Sequence, residues 1–237
     1  MADSESSFSL TTFSPSGKLV QIEHALAAVT NQGLPALGIQ AANGVVLASE
    51  KKLSSTLVDP ATVTKVAQIS RTIGCTYSGM PADFRVILSR ARKDAQSYWL
   101  TYKEDIAVLE LVKRVAAVMQ EFTQTGGVRP LGVSLLIAGH DAQHGFGLYQ
   151  VDPSGAYFCW KGTAIGREAE NAKSFLEKRF SQTMEVEDAT HTAILTLREG
   201  FEGSFDEHAF EIGVVRPDGT WTELTPSELV DYTAELE

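Results

Sequence analysis

Apolar residues recur at spacings of three and four from Leu19 through Ile22 and Leu26 to Val29, which predicts a short amphipathic helix near the start of the chain. Ser14 stands where an N-cap would, and Pro15 fixes φ near the helical value for a first turn. The period then shortens. Residues 36–41 and 45–49 read as strands flanking Asn43-Gly44, a dipeptide that supplies positive φ for a tight hairpin, and 66–70 with 73–78 read as the next pair. A helical period returns from Pro81 to about Tyr102 and again over Leu109, Val112, Ala116, Met119 and Thr123, ending near Gly126-Gly127. Strand patterns follow at 133–138, 146–151 and 156–160, helices at about 167–180 and 186–199, and a strand at 212–215 before Pro217-Asp218-Gly219. This order predicts an α+β fold, a four-layer αββα sandwich in which two antiparallel sheets pack face to face and helices cover both outer faces.

The chain has 237 residues, of which 43% are hydrophobic, enough for one sizeable core, and no linker, low-complexity stretch or internal repeat divides it. Twenty Lys and Arg against thirty Asp and Glu give a formal charge of -10, so neither nucleic acid nor an anionic membrane is expected as a main partner. Cys75 and Cys159, without a C-x-x-C, fit reduced buried thiols in a cytosolic or nuclear protein. The first residues lack the basic and apolar regions of a signal peptide, and no apolar run approaches the ~20 residues of a membrane span. His140 and His144 lie four apart but read as a hairpin loop, so no metal is expected. Neither a G-x-S-x-G nor a Walker loop is present, and Gly162 to Gly166 lacks a phosphate-binding lysine, so no cofactor is expected either. Glu223, Glu228, Asp231, Glu235 and Glu237 read as the solvated face of a final helix.

The run F-S-P-S-G-K-L-V-Q-I-E-H-A at 13–25 resembles, nearly residue for residue, the N-terminal signature of alpha-type subunits of the 20S proteasome. The preceding S-F-S-L-T-T looks most like the type-2 class of eukaryotic particles. The likeness continues through A-A-N-G-V-V-L-A-S-E-K-K at 41–52, Y-S-G-M at 77–80, R-A-R-K at 90–93, V-M-Q-E at 118–121 and G-G-V-R-P at 126–130. It extends through G-V-S-L-L-I at 132–137, D-P-S-G-A-Y-F at 152–158 and F-L-E-K-R at 175–179, in the family's order and near its spacing. This resemblance implies the fold of the N-terminal nucleophile hydrolases, the same sandwich that the periodicity predicts.

In that fold a Thr, Ser or Cys exposed by autocleavage uses its own α-amine as general base, because a mid-chain amide nitrogen has no basicity for the task. Aligned with the catalytic beta-type strand, this chain carries Leu34 or Pro35 at the nucleophile position, and neither side chain can attack a carbonyl. Cleavage before Thr163, Thr220, Cys75 or Ser204 would remove core strands. The resemblance therefore implies a non-catalytic subunit, in which Glu50 and Lys65 align with the acidic and lysine partners of an absent nucleophile.

The resemblance also implies roles. Lys65, with Gly79 and Gly33, would face an intersubunit pocket that receives the C-terminal carboxylate of an activator, and an ammonium on a mobile stem suits such a ligand. Residues 1–12 would form a gate tail ahead of a single domain at 13–237, whose signature turn and helix occupy 13–33. Phe8, Thr12, Pro15, Gly17, Leu19, Ile22, His24 and Leu26 would make the gate and ring contacts. Ser6-Ser7-Phe8 replaces the family's Tyr-Asp-Arg triplet, and His24 replaces a common tyrosine. The implied partners are neighbouring alpha subunits, beta-ring subunits and regulatory-particle ATPases or other activators, in ubiquitin- and ATP-dependent protein degradation in cytoplasm and nucleus. Two other readings of the chain exist. An autoprocessed hydrolase of this fold requires a nucleophile, and a free-standing binding domain requires a stable monomer.

Overall fold

The structure, a computed structural model, describes residues 13–53, 55, 57–200 and 208–234. Phe8 and Thr12, and with them the gate tail, lie outside the described residues. Among the described residues, ten strands form two five-stranded antiparallel sheets. One sheet contains β1 (Ala36–Ala41), β2 (Gly44–Glu50), β8 (Gly162–Ile165), β9 (Phe210–Val215) and β10 (Trp221–Glu223), in the order β10-β9-β2-β1-β8. The other runs β3-β4-β5-β6-β7 from β3 (Val66–Gln68), β4 (Ile73–Gly79), β5 (Val133–Asp141), β6 (Gly145–Val151) and β7 (Tyr157–Cys159). Six helices are described: α1 (Val20–Gln32), α2 (Pro81–Tyr102), α3 (Val108–Gln124), α4 (Ala169–Arg179), α5 (Val186–Glu199) and α6 (Pro226–Ala234).

The period of two sorts each strand between two cores. In β1 and β2, Leu37, Ile39, Val46 and Ala48 pack outward with α4 and α5, whereas Ala36, Val45 and Leu47 face the second sheet. In β5, Leu135 and Ile137 join α2 and α3, and Leu136 and Ala138 face the first sheet. Burying each Leu or Ile fully contributes on the order of 1.5–3 kcal/mol, so a slip of one residue in register would cost several such terms at once. Between the sheets the Trp221 indole fills space that side chains at Gly74 and Gly213 would occupy; a Cβ there would meet the ring at 2.1 and 2.2 Å.

Several local expectations need correction. Helix α1 begins at Val20, not at Pro15, because Ser14 to Lys18 closes a turn of its own. Ser14 N donates to Lys18 O at 2.8 Å, Lys18 N to Ser14 Oγ at 3.1 Å, and Gly17 sits at φ 78°, which no continuing helix accepts. The first hairpin turns through Ala42-Asn43 without positive φ, and Gly44 belongs to β2. Glycine is needed there for close packing, since a Cβ would lie 2.5 Å from Val215 O. Strand β3 ends at Gln68, helix α4 starts at Ala169, and strands β8 and β10 were not anticipated. Cys75 is buried, with its thiol pushed up to about 12 by burial, but Cys159 lies exposed on edge strand β7 rather than inside. His140 lies in β5 and His144 in the β5–β6 turn, and among the described residues no group of three or more metal-ligating side chains occurs. Glu228 is more than a solvated carboxylate, because it caps α6 by accepting from Thr225 N at 2.8 Å.

Candidate functional site

At one end of the sandwich, where α1 hands the chain to β1, three glycines let separate segments touch. Gly33 N donates to Val29 O at 3.0 Å and ends α1; a Cβ at Gly33 would lie 2.2 Å from Ser78 Oγ and 2.8 Å from Gly79 N. Gly79, at φ 112°, presses on Gly132 O, and Gly166, at φ 93°, presses on Ser78 Oγ and Leu34 O. Ser78 Oγ donates to Leu34 O at 2.8 Å, and Glu50 N donates to Pro35 O at 2.9 Å. Leu34 and Pro35 thus lie mid-chain at the mouth of β1, tied through their carbonyls, and offer neither a nucleophile nor a free amine.

Lys65, just ahead of β3, comes into this corner with 4% of its surface exposed. Its Nζ donates to Tyr77 O at 3.1 Å and sits 3.9 Å from the centroid of the Tyr77 ring. Its own backbone N and that of Val66 both donate to Glu211 Oε2, at 2.7 and 3.0 Å, while Glu211 Oε1 accepts from Lys51 Nζ at 2.7 Å. Burial pushes the Lys65 ammonium down to about 8, although the charges of Glu211 and Glu50 pull the other way. Burial likewise raises the Tyr77 hydroxyl to about 12. Lys65 is therefore a buried ammonium held by a carbonyl, an aromatic face and two nearby carboxylates.

The floor of the corner is rigidly built. Arg129 donates from Nη1 to Asp83 Oδ2 at 2.7 Å and from Nη2 to Asp83 Oδ1 at 3.0 Å, and Gly132 N adds a bond to Oδ2 at 2.8 Å. Burial alone raises the Asp83 carboxyl, but these donors outweigh it and the net displacement is downward. Met80 N donates to Gly132 O at 2.9 Å, so the clamp fixes the strand on which Gly79 rests.

The structure sets Gly33 against Gly79, and Lys65 reaches the same strand two residues earlier, through Tyr77 O. The expected ring-contact residues lie along the turn and α1. Pro15, Gly17 and His24 are exposed, and Leu19, Ile22 and Leu26 are half-buried, with only Ala25 and Val29 of α1 fully buried. The apolar stripe is thus incompletely covered by its own domain, where α1 rests on the ends of β4 and β5. Glu211, Lys51 and Gly166 escaped the sequence reading. Gly166 stood out there only as the end of a glycine-bounded run, and nothing local ties Glu211 to Lys65, which approaches from another sheet.

A model of the proteasome subunit family matches residues 30–215, and a model of the N-terminal signature of A-type proteasome subunits matches residues 7–28. The chain is 59% identical to the proteasome alpha type-2 subunit of Oryza sativa subsp. indica over 237 residues, covering 100% of both chains. It is 59% identical to the proteasome alpha type-2-A subunit of Arabidopsis thaliana over 237 residues and 56% identical to the proteasome alpha type-2 subunit of Drosophila melanogaster over 236, again covering 100% of each chain.

Proposed function

The chain belongs to the proteasome alpha-subunit family and is a non-catalytic member of the 20S core's alpha ring; from that premise we propose that it docks activator C-termini at the Gly33–Lys65–Gly79 corner and that its first dozen residues gate the pore. It assembles with other proteasome subunits. Regulatory-particle ATPases or other activators are the proposed docking partners, and cytoplasm and nucleus the proposed compartments. No described helix is long and apolar enough to cross a membrane.

The observation that carries the docking reading is the buried Lys65 ammonium beside two glycine-walled backbone segments. An ammonium 4% exposed costs folding free energy, so a site that retains one is suited to meeting an anion there. A peptide's terminal carboxylate supplies one negative charge and accepts from neighbouring donors. The half-buried stripe of Leu19, Ile22 and Leu26 supports the assembly reading, since an apolar helix face left in water invites association.

Two changes separate docking from gating. Lys65→Ala should lower stimulation of assembled particles by an activator C-terminal peptide, with a partial effect because other intersubunit pockets remain. Deleting residues 1–10 should raise basal hydrolysis of small peptides with no activator present. If stimulation and basal rate both stay at wild-type values, docking and gating belong to other subunits.

A further inference from the structure

Five ionisable side chains converge beside the docking corner: Glu50, Lys51, Lys65, Glu211 and Arg167. Glu50, Lys51 and Lys65 are buried, at 6%, 8% and 4% exposure. Lys51 is committed to Glu211, and the Lys65 ammonium is turned inward onto Tyr77. Three cations face two carboxylates, so the cluster carries one positive charge in excess. The excess is most accessible at Arg167, whose side chain is 41% exposed.

Arg167 is presented by an unusual piece of backbone. It lies between Gly166 at φ 93° and Glu168 at φ 58°, two left-handed positions, the second of which disfavours a residue with a Cβ. Its N donates to Gly33 O at 2.9 Å, which pins the turn to the same glycine that walls the docking corner. The guanidinium lies 3.8 Å from Glu50 Oε1, near enough for attraction but beyond hydrogen-bond length, and it makes no side-chain hydrogen bond among the described residues. The carboxylate of the adjacent Glu168 is directed to Asn171, from whose Nδ2 it accepts.

We propose that Arg167 is a second anion-binding residue of the docking site, a specificity determinant that grips the peptide's terminal carboxylate at the rim while Lys65 supplies the buried charge behind it. The inference rests on the docking function proposed above and deepens it. A planar guanidinium binds a carboxylate through two parallel N–H···O bonds, which a point-charge ammonium cannot do, so the pair discriminates a free carboxylate from an amide.

The test uses assembled particles containing the full-length chain and an activator-derived C-terminal peptide carrying a photo-crosslinker, made with a free carboxylate and as the C-terminal amide. Labelling of this chain is measured by mass spectrometry and normalised to labelling of another alpha chain. Arg167→Gln is expected to reduce labelling by the carboxylate probe by roughly tenfold or more, Arg167→Lys to restore part of it, and the amide probe to label weakly whichever residue stands at 167. If Lys65→Ala loses labelling and Arg167→Gln does not, docking stands and the role of Arg167 falls. Equal loss with carboxylate and amide probes would also overturn it, because the effect would not concern the charge. Wild-type labelling in both variants would overturn the docking function itself.

Discussion

Replacing Lys65 by Met should stabilise the fold at neutral pH. The change keeps most of the side-chain volume while removing a charge that burial opposes. Lowering the ammonium from 10.5 to about 8 corresponds to roughly 3 kcal/mol against the charged form, at about 1.4 kcal/mol per pH unit. Methionine forfeits the bond to Tyr77 O and the contact over its ring, which together offset about 1–2 kcal/mol. The expected net gain is about 1–2 kcal/mol at pH 7, or a Tm rise of roughly 2–8 °C for a chain of this size. Its pH dependence has a definite sign. Between about 8 and 10.5 the unfolded chain holds a proton on Lys65 that the folded chain has released, so wild-type stability climbs with pH relative to the variant. The advantage of Lys65→Met is therefore complete well below pH 8, shrinks by roughly 3 kcal/mol by about pH 10.5, and so reverses in favour of the wild type on the way. Urea unfolding of both purified chains at pH 7 and pH 10 measures it, with the other titrating groups cancelling in the difference. A variant less stable at pH 7, or one whose advantage does not shrink at pH 10, would refute the reasoning that this lysine is a buried cation retained at a cost in stability.

Gly79→Ala should cost at least about 1–3 kcal/mol, because φ is 112° and the new Cβ would lie 2.2 Å from Gly132 O. Gly17→Ala, at φ 78° with open space around it, should be milder, and parallel unfolding curves compare the two. Arg129→Gln removes both side-chain donors from Asp83 and should destabilise by about 1–3 kcal/mol at pH 7. The folded Asp83 value is depressed below 3.8, so the clamp's contribution is full above that pH and disappears as the carboxyl protonates, and the gap from wild type should close in acid. Ile22→Asp should abolish incorporation into rings with the circular dichroism of the isolated chain preserved; normal incorporation would mean that α1 needs no neighbour.

The layers were legible in the sequence because long elements carry their period many times over. Helices α2 and α5 fall where the spacing places them, at Pro81–Tyr102 and Val186–Glu199, and strand β1 at Ala36–Ala41. Strands β8 and β10 were not legible, since Gly162–Ile165 and Trp221–Glu223 are too short to show alternation and are defined by pairing with β1 and β9. Asn43-Gly44 was misread for a different reason. The glycine there answers to β9 pressing on it from a distant part of the chain, a requirement that leaves no local mark beyond the glycine itself. Ser14-Pro15 likewise suits a helix start and a tight turn equally, and Gly17 decides between them. At the site, family likeness pointed to Lys65, Gly79 and Gly33, but Arg167 and Glu211 gain their meaning only from tertiary approach. Arg167 reaches Gly33 through its backbone, and Glu211 holds the two amides of Lys65 and Val66.

The central claim, a non-catalytic subunit of the alpha ring, is tested most directly by intact mass spectrometry of the native particle after treatment with a threonine-reactive inhibitor. The account predicts this chain inside a particle of core size, uncut at any internal Gly-Thr, Gly-Cys or Gly-Ser junction and free of inhibitor, while catalytic beta chains of the same particle carry the adduct. A chain absent from the particle, shortened by internal cleavage, or itself carrying the inhibitor would contradict it.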